Sequence, residues 1–218
     1  MGLTALYAGL ALFGLIAPLV WWGTRRDDSP RGRIKYARTV TIAQARPGEV
    51  VKLVGRVRLG RKTVTGPLSG RVGACYRVAV TERNPEGGGT LLVLEEQEGE
   101  DFFLLEGSSR ARVQLPQQPP PIVTLHGDFE TTLDQPEVQA LMARHGVEPR
   151  AGMVVREGVI EEGMTVGVLG IGRWAMDNEP TGYRDDPRFF DVTAPEEGMI
   201  VTNEAPLLGP KPLAGPTV

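Results

Sequence analysis

Cysteine and histidine are almost missing: the 218-residue chain has one cysteine, Cys75, and two histidines, His126 and His145. A lone cysteine excludes an internal disulfide framework and any multi-cysteine zinc cage. An excess of one charge is missing too, since 24 basic residues face 27 acidic ones for a net charge of −3. That balance argues against a general nucleic-acid binder, and no nucleic-acid partner is expected. The 28 glycines and 18 prolines imply many turns and short elements, yet fall short of a low-complexity composition. Long apolar runs are absent with one exception.

That exception is Leu3 to Gly23, LTALYAGLALFGLIAPLVWWG, which contains no charged residue. At ~1.5 Å per helical residue it matches the ~30 Å hydrocarbon core of a bilayer. It lacks the basic start and the small-x-small end of a cleaved signal peptide, so residues 1–24 are expected to be an uncleaved transmembrane anchor. Tyr7, Trp21 and Trp22 suit its two interfaces. The next segment carries Arg25, Arg26, Arg31, Arg33, Lys35 and Arg38 against Asp27 and Asp28. The positive-inside rule then places the rest of the chain in the cytoplasm of a single-pass cell-membrane protein. Residues 25–38 are expected to be a basic juxtamembrane linker lying at the headgroups.

Beyond it the pattern alternates as half-buried strands do. Runs are expected at Thr39–Ala43, Val50–Leu59, Ala74–Glu82, Thr90–Leu94, Phe102–Leu105, Arg110–Leu115, Met153–Val159, Thr165–Ile171, Phe189–Val192 and Met199–Thr202. The fold class predicted is mainly β, a small barrel or sandwich of short strands with one short soluble helix, plus the N-terminal transmembrane helix. The β domain spans 39–202, with a Pro-rich and helical insertion at about 116–150. There Asp134-Gln135-Pro136-Glu137 predicts a capped helix start, with Val138, Leu141 and Met142 on one face and Gly146 as the stop. Residues 203–218 read as a disordered Pro-rich tail. Gly48–Gly55 and Gly163–Gly170 share the frame G-x-x-V-x-apolar-apolar-G, which chance or duplication explains equally well.

No catalytic motif meets its structural requirement. Gly170-Ile171-Gly172-Arg173-Trp174-Ala175 imitates a dinucleotide fingerprint, but the prolines and glycine that follow forbid the helix it needs. Gly55–Gly60 has P-loop glycine spacing with Arg61 and Lys62 out of register. Cys75 sits in a strand pattern as a small buried hydrophobe, and no metal or cofactor is expected. The acidic run Glu95–Asp101 reads as a solvated turn between strands, without the order of a calcium loop.

A resemblance emerges from the order of several weak motifs. After the anchor come Pro47–Gly55, then Gly66-Pro67-Leu68-Ser69-Gly70, Cys75–Val78, Phe103-Leu104-Leu105-Glu106, Arg110–Val113, and Glu157–Gly170. This succession resembles the GIDE, or "beside a membrane", domain family, the membrane-proximal domain of MULAN-type E3 ubiquitin ligases. Those ligases act through a RING that needs about eight Cys and His ligands. One Cys and two His cannot supply them, so the resemblance implies a member without ligase activity.

The function expected is therefore a non-catalytic, membrane-anchored protein-interaction or scaffold module whose partner is a protein, another membrane or envelope protein being the family's suggestion. Its candidate interaction turn is Pro67, Leu68, Ser69 and Gly70 with Arg71 and Tyr76. Two alternatives compete. One is an enzyme with a cleft between the β domain and the insertion, favoured if His126 or His145 lies near Cys75 or the acidic run. The other is an anionic-lipid-binding domain using the basic 25–38 segment.

Overall fold

The computed structural model describes residues 29–116, 122–124, 128–176 and 188–209. The expected anchor, together with Arg25, Arg26 and His126, lies outside them. Among the described residues no helix is long and apolar enough to cross a membrane. The fold is mainly β, as the alternation implies.

Five strands close a barrel: β1 (Val50–Leu59), β6 (Phe102–Glu106), β7 (Ser109–Val113), β12 (Arg188–Thr193) and β11 (Thr165–Met176), in that order, with β11 pairing back to β1. Every contact is antiparallel except β7 with β12. This Greek-key closure leaves the barrel with no free edge. Val51, Leu53, Val57, Phe102, Leu104, Val113, Val166, Val168, Phe190 and Val192 fill the interior. A five-stranded interior is narrow, and glycines set its fit. A Cβ at Gly172 would lie 2.4 Å from the Phe190 ring, and one at Gly170 would lie 2.5 Å from Val192.

The repeated glycine frame is resolved by pairing. Its two copies are β1 and β11 with their preceding turns, lying antiparallel with Val50 opposite Ile171 and Gly55 opposite Val166. Gly48 and Gly163 both take φ near 78°, open to glycine but strained for other residues. Each donates its N–H across the pair, Gly48 to Gly172 and Gly163 to Val57. The two segments are thus related by a local two-fold.

A second sheet orders β5 (Thr90–Gly99), β4 (Cys75–Arg83), β10 (Met153–Ile160) and β9 (Phe129–Thr131), all antiparallel. One face packs Tyr76, Val78, Val80, Val155 and Val159 against Val138, Leu141 and Met142 of helix α2 (Pro136–Arg144). At the junction Ala74, Cys75 and Ile160 belong to the barrel core, which makes β4 and β10 the struts between the two sheets. Short strands β2 (Val64–Thr65) and β3 (Val72–Gly73) flank the Gly66–Gly70 turn. The lower half of β11 also pairs with β13 (Ile200–Thr202), which runs parallel to β8 (Ile122–Thr124).

Several expectations are corrected. The 25–38 linker contains a helix, α1 (Pro30–Tyr36), started by the Ser29 hydroxyl accepting from the Gly32 N–H. It is no spacer, because Ile34 is buried with Leu169, Ile200 and Leu207. Leu207 itself comes from the expected tail, where Ala205–Leu208 form a short helix, α3. Among the described residues three helices therefore stand where one short soluble helix was foreseen. Thr39–Ala43 is not a strand but a single bridge from Thr39 to Lys52 followed by a 3₁₀ turn, Ile42–Gln44. The cap of α2 is Gln135 rather than Asp134, with no side-chain bond. The insertion is woven in, since β8 and β9 join the two sheets. The acidic run is not a turn: Glu95, Glu96 and Glu98 lie in β5, paired with β4.

Candidate functional site

Alternation along β10 puts Val155, Glu157 and Val159 on the face that meets α2, so a carboxylate falls where apolar side chains are due. Glu157 is fully buried. Its oxygens accept the N–H of Leu68 at 2.8 Å, the N–H of Ser69 at 3.0 Å and the Ser69 hydroxyl. The expected interaction turn is thus wrapped around an internal acid. A Cβ at Gly66 would stand 2.7 Å from Glu157 Oε2, which explains the glycine that opens the turn. Gly70, at φ 69°, closes it through its N–H to Gly66 O. Leu68 packs partly into the core beneath. Arg71 crosses the surface, paired with Asp128 at 2.7 Å and Glu161 at 3.1 Å, and its hydrogen bond to Asp128 leads in holding it charged.

Tyr76 shares that face, but its hydroxyl serves a different cluster. It donates to Glu96 at 2.9 Å, with Glu98 at 3.2 Å. Glu96 also receives Arg144 at 2.8 Å and His145 Nε2 at 2.7 Å from the end of α2. Burial pushes the Glu96 carboxyl up, but hydrogen bonds from His145 and Tyr76 and the charge of Arg144 outweigh it and hold it below the usual value. Burial, followed by the two carboxylates, pushes the Tyr76 phenol well above its ordinary value. The cluster clamps α2 onto the acidic strand.

His145 therefore meets the acidic run, as the enzyme alternative required, and Cys75 does not join them. Neighbours on a strand face opposite ways, so while Tyr76 faces α2, Cys75 is sealed in the barrel core. Desolvation pushes its thiol up to about 12, which keeps it protonated and a poor nucleophile.

The opposite face of the second sheet forms the cleft that alternative imagined, a groove of 670 Å³ floored by Ala79 and Gly158 and reaching Asp128 and Glu130 of the insertion. Its charges are matched: Arg77 with Glu95 at 2.5 Å, Arg156 with Glu130 at 3.0 Å, and Arg31 with Glu204. Among the described residues neither His145 nor Cys75 lines it. Among the described residues no group of three or more His, Cys, Asp or Glu is placed to hold a metal ion.

The basic segment divides as well. Arg31 pairs with Glu204, while Arg33 donates to the carbonyls of Glu197 at 2.6 Å and Gly198 at 3.3 Å. Lys35 lies 5.3 Å from the Tyr36 ring, and Arg38 borders a shallow cavity beside Val40 and Arg46. Half of the described cluster is thus spent on the protein's own C-terminal segment. The glycine motifs that imitate nucleotide sites lie within β1 and β11, and Gly87–Gly89 turns the β4–β5 hairpin.

Sequence reasoning missed Glu157 as a key residue. The signal was present, an acid in register with Val155 and Val159. It also missed the ten-residue edge of β5, because the glutamates hid the second half of that strand. Comparison with known protein families, with curated proteins and with solved structures finds no match for the chain.

Proposed function

We propose that the chain is a membrane-anchored, non-catalytic protein-interaction module of the GIDE-like type, held against the cytoplasmic face of the cell membrane by residues 1–24. The observation that carries this reading is the unpaired edge of β5. Among the described residues, β5 pairs only with β4 along its ten residues. Proteins guard such edges with charge. Here Glu95, Glu96 and Glu98 guard the second half, whereas Thr90–Leu94 has no charge and leaves Leu91 and Leu92 43% and 52% exposed. An extended peptide can add to that half as a fifth strand, its backbone satisfying the free N–H and C=O groups and its side chains meeting the two leucines.

The short tether supports the same reading. Helix α1 begins at Pro30 and is packed into the fold by Ile34, so only residues 25–29 separate the domain from the expected span. At ~3.3–3.6 Å per residue that connection reaches roughly 20 Å, which keeps the domain beside the bilayer.

The test is quantitative recovery of partners after mild detergent extraction of the full chain, with wild type compared against a Leu91→Glu, Leu92→Lys variant. Both positions are exposed, so folding is preserved while strand addition is blocked. A partner recovered in stoichiometric amount with wild type and lost with the variant is expected. Recovery of none, or equal recovery with both, would overturn the reading. Protease access to residues 29–209 from the outer side of intact cells would overturn the orientation.

A further inference from the structure

The outer wall of the barrel concentrates positive charge in rows that the pairing register fixes. In one row Arg58 of β1 stands opposite Phe103 of β6, which stands opposite Arg112 of β7, and Asp191 of β12 continues it. Two residues along, Arg56 stands opposite Leu105, and Leu105 opposite Arg110. Neighbouring positions lie ~4.8 Å apart between strands and ~6.8 Å along them. Four arginines, Arg56, Arg58, Arg110 and Arg112, thus share this wall, where Asp191 holds Arg112 at 2.9 and 3.1 Å. In a chain of net charge −3 this is a strong segregation, since acids gather on β5 and its flanks.

Phe103 and Leu105 are half-buried side by side in the middle of the patch, with exposed Arg56 and Arg58 along one border. Arg110 links the wall to a cavity of 240 Å³ at the barrel mouth, bordered by Trp174, Ser108, Ser109 and Arg188. Trp174 is 38% exposed there, edge-on to Phe190.

We infer that this wall binds an acidic segment of a partner protein, with carboxylates on the Arg56 and Arg58 guanidiniums and an apolar side chain over Phe103 and Leu105. The inference rests on the interaction-module reading and names a second surface and a partner chemistry for it. Planar guanidiniums take carboxylates two bonds at a time, and the apolar strip between them gives such a segment a register. Single-stranded nucleic acid fits less well, because it needs successive exposed aromatic platforms, whereas on this wall Phe103 is half-buried and Phe189 is buried beneath Arg110 and Arg112. A bilayer fits less well too. Strands β6 and β7 lie across the barrel from β11, whose outer side at Leu169 is covered by α1, the helix nearest the expected anchor.

The test uses the full chain in nanodiscs of neutral lipid and fluorescence anisotropy of labelled short peptides alternating glutamate with leucine. Binding is expected, weakening roughly tenfold or more between low and physiological salt, as exposed charges are screened. Arg56→Glu with Arg58→Glu should lower affinity roughly tenfold or more at an unchanged melting temperature. Phe103→Ala should weaken the leucine peptide and leave a glutamate–glycine peptide unaffected. Equal binding by wild type and the double variant would overturn the inference. So would tighter binding of labelled oligothymidylate than of the peptide, or stronger dependence on Arg56 and Arg58 for phosphatidylglycerol vesicles than for the peptide. The Leu91→Glu, Leu92→Lys variant should bind the peptide as wild type does. A partner lost with that variant and kept with the arginine variant sinks this inference alone, whereas recovery of no partner at all sinks the module reading.

Discussion

Replacing Glu157 with alanine removes the acceptor for three hydrogen bonds at once. The Leu68 and Ser69 N–H groups and the Ser69 hydroxyl, on a half-buried turn, lose a fully buried partner. An unsatisfied buried donor costs about 1–3 kcal/mol, and the missing side chain leaves a void as well, so about 3–5 kcal/mol is expected in total. For a chain of this size each kcal/mol moves the melting temperature by about 2–4 °C, which predicts a fall of about 10 °C. Glu157→Gln keeps the volume and one carbonyl acceptor but turns an amide N–H₂ toward donors, and should lose about 1–3 kcal/mol. The assay is thermal unfolding of the full chain in detergent, joined to amide hydrogen exchange at Leu68 and Ser69. Protection there should fall in both variants, before any global change in the milder one. Glu130→Gln is the control, because its pair with Arg156 is more than half exposed on both sides and is worth about 0–1 kcal/mol. An alanine variant within about 2 °C of wild type, with Leu68 and Ser69 still protected, would refute the claim that Glu157 holds the turn.

Three further outcomes are expected. The Glu96 carboxyl is held below its ordinary value in the fold, so its contribution is present above the unfolded value of about 4.3 and is lost as pH falls through the lowered one. The difference in melting temperature between wild type and Glu96→Gln should therefore shrink as pH falls below about 4.3; a difference that holds or grows over that range contradicts it. Cys75, buried and raised to about 12, should resist maleimide in the folded chain at mildly alkaline pH and react on unfolding; rapid labelling of the native protein contradicts its placement. Gly172→Ala would press a methyl to 2.4 Å from the Phe190 ring and 2.7 Å from the Asp191 carbonyl, and should cost about 1–3 kcal/mol or more by overpacking. A neutral result in denaturant unfolding would show the barrel to be looser than its geometry implies.

Strand positions were legible because they depend on local alternation. Val50–Leu59 agrees at both ends, and Thr165–Ile171 differs only by extending to Met176. Where alternation is broken by function of the fold, the reading failed. Glu95, Glu96 and Glu98 look like a turn in isolation, yet they are tolerated in β5 because Arg77, Arg144, His145 and Tyr76 come from other elements to meet the first, second and last of them. Lys52 is a second instance. On the outward side of β1 it should meet water, but the Thr39 segment covers it and Gly209 of the C-terminal segment lies beside it, and desolvation lowers its pKa.

By itself the sequence determined the β class, the glycine turns at Gly48 and Gly163 and the helix over Pro136–Arg144, since each follows from the period of a short segment or the backbone freedom of one residue. It also determined that these 218 residues hold too few Cys and His ligands for a RING, because counting ligands needs no coordinates. Only the tertiary structure decided that β1 pairs with β11 to close the barrel, that Glu157 anchors the turn, that α1 is docked by Ile34, and that arginines of β1 and β7 share one wall. Those facts join residues as far apart as Leu68 and Glu157, and which distant partners meet is set by packing the whole core rather than by any segment's own pattern.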